Sequence, residues 1–146
     1  MAFHSQIDSV QKFRFGTRKR HYDGTEWIYL KGVASLVAYD ADTNYEAGVT
    51  TLLAANAKGP VAFAGATIDA TTKFGWFCIY GKCYANVVAN CADNATLGRE
   101  TTDGKVGDGR AAGDQIANTF SRNSTTAAAT IYIQTSYPYV DDFMGA

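Results

Sequence analysis

The sequence predicts an all-β (mainly β) fold, a small β-barrel or sandwich with an extended N-terminal arm and at most one short helix. Three observations carry this expectation. Ala, Gly, Thr, Val and aromatic residues dominate while Leu, Glu and Lys are sparse, a balance that favours short strands over long amphipathic helices. Apolar and polar side chains alternate with a period of two in several short runs. Turn-forming pairs such as Asp23-Gly24, Gly59-Pro60 and Asp103-Gly104 separate those runs. At 146 residues the chain is large enough to bury one sizeable core. The expected organisation is an arm over residues 1–12 followed by a single β-rich domain over 13–146.

Residues 1–12 scatter Phe3, Ile7 and Val10 among polar side chains at no sustained period, which reads as the extended arm. From Phe13 to Arg20 the apolar residues alternate with Arg14, Gly16 and Arg18, predicting a strand with one cationic face. The Asp23-Gly24 turn joins it to an aromatic and β-branched strand, Trp27 to Lys31, as a hairpin. A short apolar run, Val33 to Tyr39, leads into the polar loop Asp40 to Asn44. Residues 49–57 are the best candidate for a helical turn, which Gly59-Pro60 would end. Val61 to Ile68 reads as a strand of small residues, and Lys73 to Val88 is the strongest β signal, with Gly81 expected to bend or bulge it. The stretch Gly98 to Gly113 is rich in glycine and charge and reads as surface. Gln115 to Ser121 and Thr130 to Thr135 are further strands, and the tail from Tyr137 ends with paired acids Asp141 and Asp142.

Charge and patterning exclude several classes. A formal net charge of −1 lacks the cationic surplus of a general nucleic-acid binder. The balance is uneven, since residues 1–31 carry a surplus of three positive charges and the remainder a deficit of four, which suits contact with copies of itself or with a charged scaffold. No run approaches the roughly 20 apolar residues of a membrane-spanning helix, and the N-terminus shows no secretory pattern, so a soluble protein that matures in cytoplasm is expected. The three cysteines, Cys78, Cys83 and Cys91, are an odd number, and no disulfide framework is expected. On one regular strand Cys78 and Cys83 would point to opposite faces, and only a bulge could bring them together.

The search for chemistry finds no constellation. His4 and His21 are the sole histidines, and no nucleophile elbow, zinc-binding helix or paired-cysteine motif occurs, so neither a catalytic site nor a metal or cofactor is expected. Asp40, Asp42, Asn44 and Glu46 begin like a calcium loop, but Tyr45 stands where the sharp turn needs glycine and Thr51 where a bidentate glutamate belongs, leaving a solvated acidic loop. The run from Gly107 to Gly113 has one residue too many for a dinucleotide fingerprint. Trp76 and Tyr80 share parity, and their common face reads as core rather than as a sugar-stacking platform.

Three segments carry a resemblance: Gly16 to Lys31 (GTRKRHYDGTEWIYLK), Gly48 to Tyr84 with its FGWFCIYGK strand, and Asp93 to Ile116 with the closing YPYVDD. In this order they resemble the capsid decoration, or cement, proteins of tailed bacteriophages. The resemblance implies a virion structural protein on the outer capsid surface, a homo-oligomer and commonly a trimer, that acts by contact with the major capsid protein. On that reading Phe3, Ile7, Val10 and Phe13 meet the shell or a neighbouring subunit, Arg14, Arg18, Lys19 and Arg20 meet acidic partners, and Asp141 and Asp142 are candidate partners for those cations across a subunit boundary. Removing residues 1–12 is expected to leave a folded protein that no longer decorates. The competing readings are a head fibre or tail component and a carbohydrate-binding or adhesion module.

Overall fold

The computed structural model describes residues 3–44, 48–109 and 114–140. Among these residues, eleven strands pair into one continuous sheet: β1 (Ile7–Asp8), β2 (Arg18–Arg20), β3 (Glu26–Lys31), β4 (Ala41–Asn44), β5 (Thr50–Leu52), β6 (Gly59–Ala64), β7 (Phe74–Val87), β8 (Thr96–Arg99), β9 (Val106–Gly107), β10 (Gln115–Ser121) and β11 (Ala129–Val140). The fold is mainly β, and its helical content among the described residues is a single 3-10 turn, Phe3–Ser5. Pairings β7–β9, β9–β8, β8–β10, β10–β11, β11–β6 and β6–β7 close a ring of six strands.

The hairpin expected around Asp23-Gly24 is present, with Arg20 opposite Glu26 and Arg18 opposite Ile28. Asp23 organises the turn, its Oδ1 accepting from the Thr25 amide at 3.0 Å and the Thr25 hydroxyl at 2.6 Å. Gly24 takes a φ of +91°, a conformation in which a Cβ would strain the turn. The strand, however, begins only at Arg18. Residues 14–17 form a turn instead, the Thr17 amide donating to the Arg14 carbonyl at 3.1 Å, because Phe15 is drawn aside to stack on Phe74.

Strand β7 organises the rest. On one edge it pairs with β3, from Lys31 opposite Phe74 to Glu26 opposite Tyr80, and on the other it pairs with β11, from Ser136 opposite Tyr80 to Ala129 opposite Val87. Trp27 faces Cys78 and Glu26 faces Tyr80, so Ile79 is an extra residue without a partner on β3, a β-bulge. Gly81 follows at a φ of +102°, a backbone conformation that suits glycine, directly after Tyr80, which is paired on both edges. The inserted residue reverses the parity of every side chain after it. Trp76 and Cys78 before the bulge therefore share the inner face with Cys83, Ala85 and Val87 after it, while Tyr80, Lys82 and Tyr84 lie outside.

This corrects two expectations. Cys78 and Cys83 are joined in a disulfide, their Cα atoms 6.6 Å apart, where a regular strand would have separated them. Trp76 is buried in the core, but Tyr80 is on the opposite side despite its shared parity in the sequence.

Two apolar clusters flank the sheet. The larger, inside the ring, holds Tyr29, Phe63, Trp76, Leu97, Ile116, Ile131 and Ile133. The smaller holds Ile28, Leu30, Leu36, Ala62, Ala64, Ile68, Phe77 and Ile79 on the other face of β3, β6 and β7. The run Val33 to Tyr39 adds no strand and covers this second cluster through Leu36. Residues 49–57 form no helix: β5 pairs with β4, Asp42 opposite Leu52, and a turn follows, since Thr50 and Thr51 are better satisfied by a ladder and by a hydroxyl contact of 2.9 Å between Thr43 and Thr51. The glycine-rich stretch is also not all surface, because Val106 and Gly107 are buried in β9.

The acidic loop is overturned more completely. Asp40 is 1% exposed and Asp42 fully buried, with no hydrogen-bond partner at either Asp42 carboxylate oxygen. Burial pushes the Asp42 carboxyl well above the ordinary aspartate value of 3.8. The Thr50 hydroxyl, which would favour the charged form, donates instead to the Lys31 carbonyl at 2.7 Å. The folded state thus favours the protonated form of Asp42 while the unfolded chain ionises it near 3.8, so this residue's contribution is present below that value and lost as pH rises from there toward the raised folded-state value. Asp42→Asn is expected to be more stable than the parent at neutral pH, with a gap that widens with pH by at most about 1.4 kcal/mol per unit. Chemical denaturation across a pH series checks this, and a pH-independent gap would contradict it.

Candidate functional site

The site is built from the strand that carries the basic triplet. On β2 the side chains alternate, so the cations do not form one face. Lys19 turns toward the N-terminal segment and sits 4.7 Å from the centre of the Phe3 ring. Arg18 and Arg20 lie on the other side, over the rings of Tyr137 at 5.8 Å and Tyr80 at 5.6 Å. Both also reach Glu26, at 3.5 Å and 3.2 Å, so the nearest acidic partner of these arginines is within their own hairpin. The Tyr137 hydroxyl donates to Glu26 at 3.0 Å, and that bond raises the Tyr137 pKa above its ordinary value.

The parity reversal in β7 extends this patch along the sheet. Tyr84 stands opposite Tyr132 on β11, ring centres 4.5 Å apart, and its hydroxyl donates to that of Tyr132 at 2.8 Å. Lys82 lies over the Tyr132 ring at 4.2 Å, and Tyr39 packs against Tyr84 at 5.3 Å. The outcome is an exposed strip of tyrosines interleaved with Arg18, Arg20 and Lys82. Tyr84, Tyr132 and Tyr137 are each 40–44% exposed. Rigid aromatic side chains with polar tips and cations over their faces are the composition of a protein-binding surface. Beside the strip, Arg18 and Lys58 border an apolar groove of about 400 Å³ walled by Ile28, Val61, Ile79 and Pro60. Sequence reasoning named Arg18 and Arg20 but missed Lys82 and the tyrosines, because the bulge that turns them outward has no signature beyond Gly81.

The N-terminal segment does not stand away from the domain. Phe3 packs edge-on against Trp76 at 5.2 Å and His21 at 5.5 Å, and His4 stacks on Trp27 at 4.2 Å. β1 pairs with the start of β7, Ile7 opposite Gly75, and the buried Asp8 carboxylate accepts the Tyr29 hydroxyl at 2.7 Å. Burial, with the Asp8 carboxylate beside it, pushes Tyr29 up to about 12. Of the four residues expected to be anchors, Phe3 is thus committed to this chain's own core. Phe13 divides its surface, packing on Tyr29 at 5.2 Å while remaining 41% exposed, and Ile7 and Val10 are 46% and 70% exposed. Arg14 is exposed. Asp141 and Asp142 lie outside the described residues.

Among the described residues no group of three or more His, Cys, Asp or Glu side chains could hold a metal ion. Comparison with known protein families, with curated proteins and with solved structures finds no match to this chain.

Removing residues 1–12 would strip Phe3 and His4 from the two tryptophans and leave the Tyr29 hydroxyl without its acceptor, so the truncation is expected to lower stability as well as remove Ile7 and Val10. Phe3→Ala is expected to cost about 1–3 kcal/mol as a partly buried aromatic truncation, whereas Val10→Ser should change stability by less than about 0.5 kcal/mol. Thermal melts of the two variants check this, and equal melting temperatures would contradict it.

Proposed function

We propose that this protein is a decoration protein of a tailed-phage capsid, a trimer-forming structural protein that binds the outside of the shell and braces it. The observation that supports this reading best is the exposed tyrosine and cation strip beside an apolar groove, on a sheet that contains a closed ring of six strands. A surface of this kind contributes affinity by burying large side chains that lose little conformational freedom on binding. Its cations, only partly offset by Glu26, complement an acidic partner, which suits a contact with the major capsid protein. The exposed Ile7, Val10 and Phe13 supply a second, apolar contact of the type that joins neighbouring subunits. If three subunits bind together, each attachment raises the effective concentration of the next, and strong decoration needs no single large interface.

A head fibre or tail component would use the same contact chemistry and differs in copy number. A carbohydrate-binding module would use the tyrosine rings, but Tyr84 and Tyr132 already stack on each other and Lys82 occupies a face of Tyr132, which leaves ring edges and hydroxyls outward.

The test is occupancy of purified capsids by quantitative mass spectrometry. A copy number comparable to that of the major shell protein is expected, and the double variant Arg18→Ala/Tyr132→Ala should reduce occupancy by at least tenfold, the equivalent of about 1.4 kcal/mol, without lowering the melting temperature of the free protein by more than a few degrees. Tens of copies per particle would favour a fibre or tail part, and unchanged occupancy by the folded variant would overturn the assignment of the strip.

A further inference from the structure

At the end of the strip, where Thr130 and Asn86 pair next to Tyr132 and Tyr84, two side chains from distant parts of the sequence converge on one carboxylate and a third is bonded to one of them. Asp40, ahead of β4, is 1% exposed. Its Oδ1 accepts from the Asn86 side-chain amide on β7 at 2.8 Å, and the same oxygen receives the Lys105 amine from the turn before β9. The Asn86 carbonyl oxygen accepts in turn from the Thr130 hydroxyl on β11 at 2.6 Å, and the Asn86 amide also donates to the Ala38 carbonyl at 2.8 Å. Every polar atom of Asn86's side chain is thereby held in one orientation.

This arrangement has the parts of an acyl-transfer reaction. Lys105 supplies an amine nucleophile, and the Asn86 carboxamide supplies an electrophilic carbon whose oxygen is polarised by a hydroxyl donor. Asp40 touches both the attacking nitrogen and the nitrogen that would leave, the position a proton shuttle must occupy. A pocket lined by Asn86, Val87, Thr102, Lys105 and Thr130 opens beside the group and gives the leaving molecule a way out.

We infer that Lys105 and Asn86 form an intramolecular isopeptide bond with Asp40 as the proton shuttle. The Lys105 ammonium gives a proton to the Asp40 carboxylate, and the neutral amine attacks Cγ of Asn86. A C–N bond forms to Nζ, the proton held by Asp40 passes to Nδ2, and the Cγ–Nδ2 bond breaks. The second amine proton passes through Asp40 to the departing ammonia, which leaves as ammonium, so that the carboxylate is regenerated and no oxidant, reductant or cofactor is consumed. The product ties the turn before β9 to the end of β7, next to the parallel pairing of Val87 with Val106, one of the links that close the ring. The inference stands independently of the capsid reading.

The experiment is mass spectrometry of the intact, reduced chain and of its protease fragments. The parent protein is expected to be lighter than its sequence by about 17 Da, the mass of ammonia, with a fragment in which Lys105 is linked to Asn86. Lys105→Arg, which keeps the positive charge beside Asp40 but has no amine to transfer, and Asp40→Asn, which removes the shuttle, should both show the full mass. Because Asp40→Asn alters a buried group, Lys105→Arg is the deciding variant, with circular dichroism confirming its fold. A parent chain of full mass would overturn the proposal. So would a loss of about 18 Da with Lys105 linked to Asp40, which would make Asp40 the electrophile.

Discussion

Much of the molecule depends on one extra residue in one strand. A fourteen-residue strand with strict alternation would present one set of side chains to the core along its whole length. The bulge at Ile79 divides β7 into two segments of opposite parity, and Gly81, with its left-handed backbone, follows the point where Tyr80 pairs with β3 on one edge and β11 on the other. From that single irregularity follow the burial of Trp76 and Val87 in the same core, the meeting of Cys78 with Cys83, and the outward display of Tyr80, Lys82 and Tyr84. β11 mirrors the device: its register against β10 shifts between Ala117 and Thr119, with Asn118 and Tyr137 at positive φ, and its last residues leave β7 to pair with β6. Two bent strands allow a short chain to close a ring of six strands, with β2 and β5 left at the ends of the strand order.

The tyrosine and cation strip and the core are therefore not separate designs. Arg18 and Arg20 are oriented by β2, whose register is set by the Asp23 turn. The tyrosines they cover belong to the two bent strands. The N-terminal segment, which could have been a detached arm, is held by Phe3 and His4 against the tryptophans and by Asp8 against Tyr29. What it leaves exposed is a narrower set, Ile7, Val10 and part of Phe13.

The sequence made the β class legible because period-two alternation and Asp-Gly turns are local signals. The hairpin at Asp23-Gly24 and strands β3, β7, β10 and β11 follow from them directly. Local signals failed where a distant partner decided the outcome. Thr50 and Thr51 joined a ladder with β4 instead of a helix, and Asp40 and Asp42 entered the interior because a tertiary enclosure formed around residues that read as a polar loop. For the site, the basic triplet was visible as charge, yet its division between two faces and its pairing with Glu26 emerge only from register. Lys82, Tyr84 and Tyr132 could not be assigned a face without knowing where β7 bulges. The convergence of Asp40, Asn86, Lys105 and Thr130 spans four separate segments and leaves no trace in spacing.

The most direct test of this account is the stability of Gly81→Ala. A Cβ there would meet Thr25 at 3.0 Å, in a backbone region that alanine rarely adopts. The account predicts a loss of about 1–3 kcal/mol in chemical denaturation. A variant as stable as the parent would show that β7 tolerates a regular conformation at this position, and the bulge could not then be the constraint on which the two cores and the tyrosine strip depend.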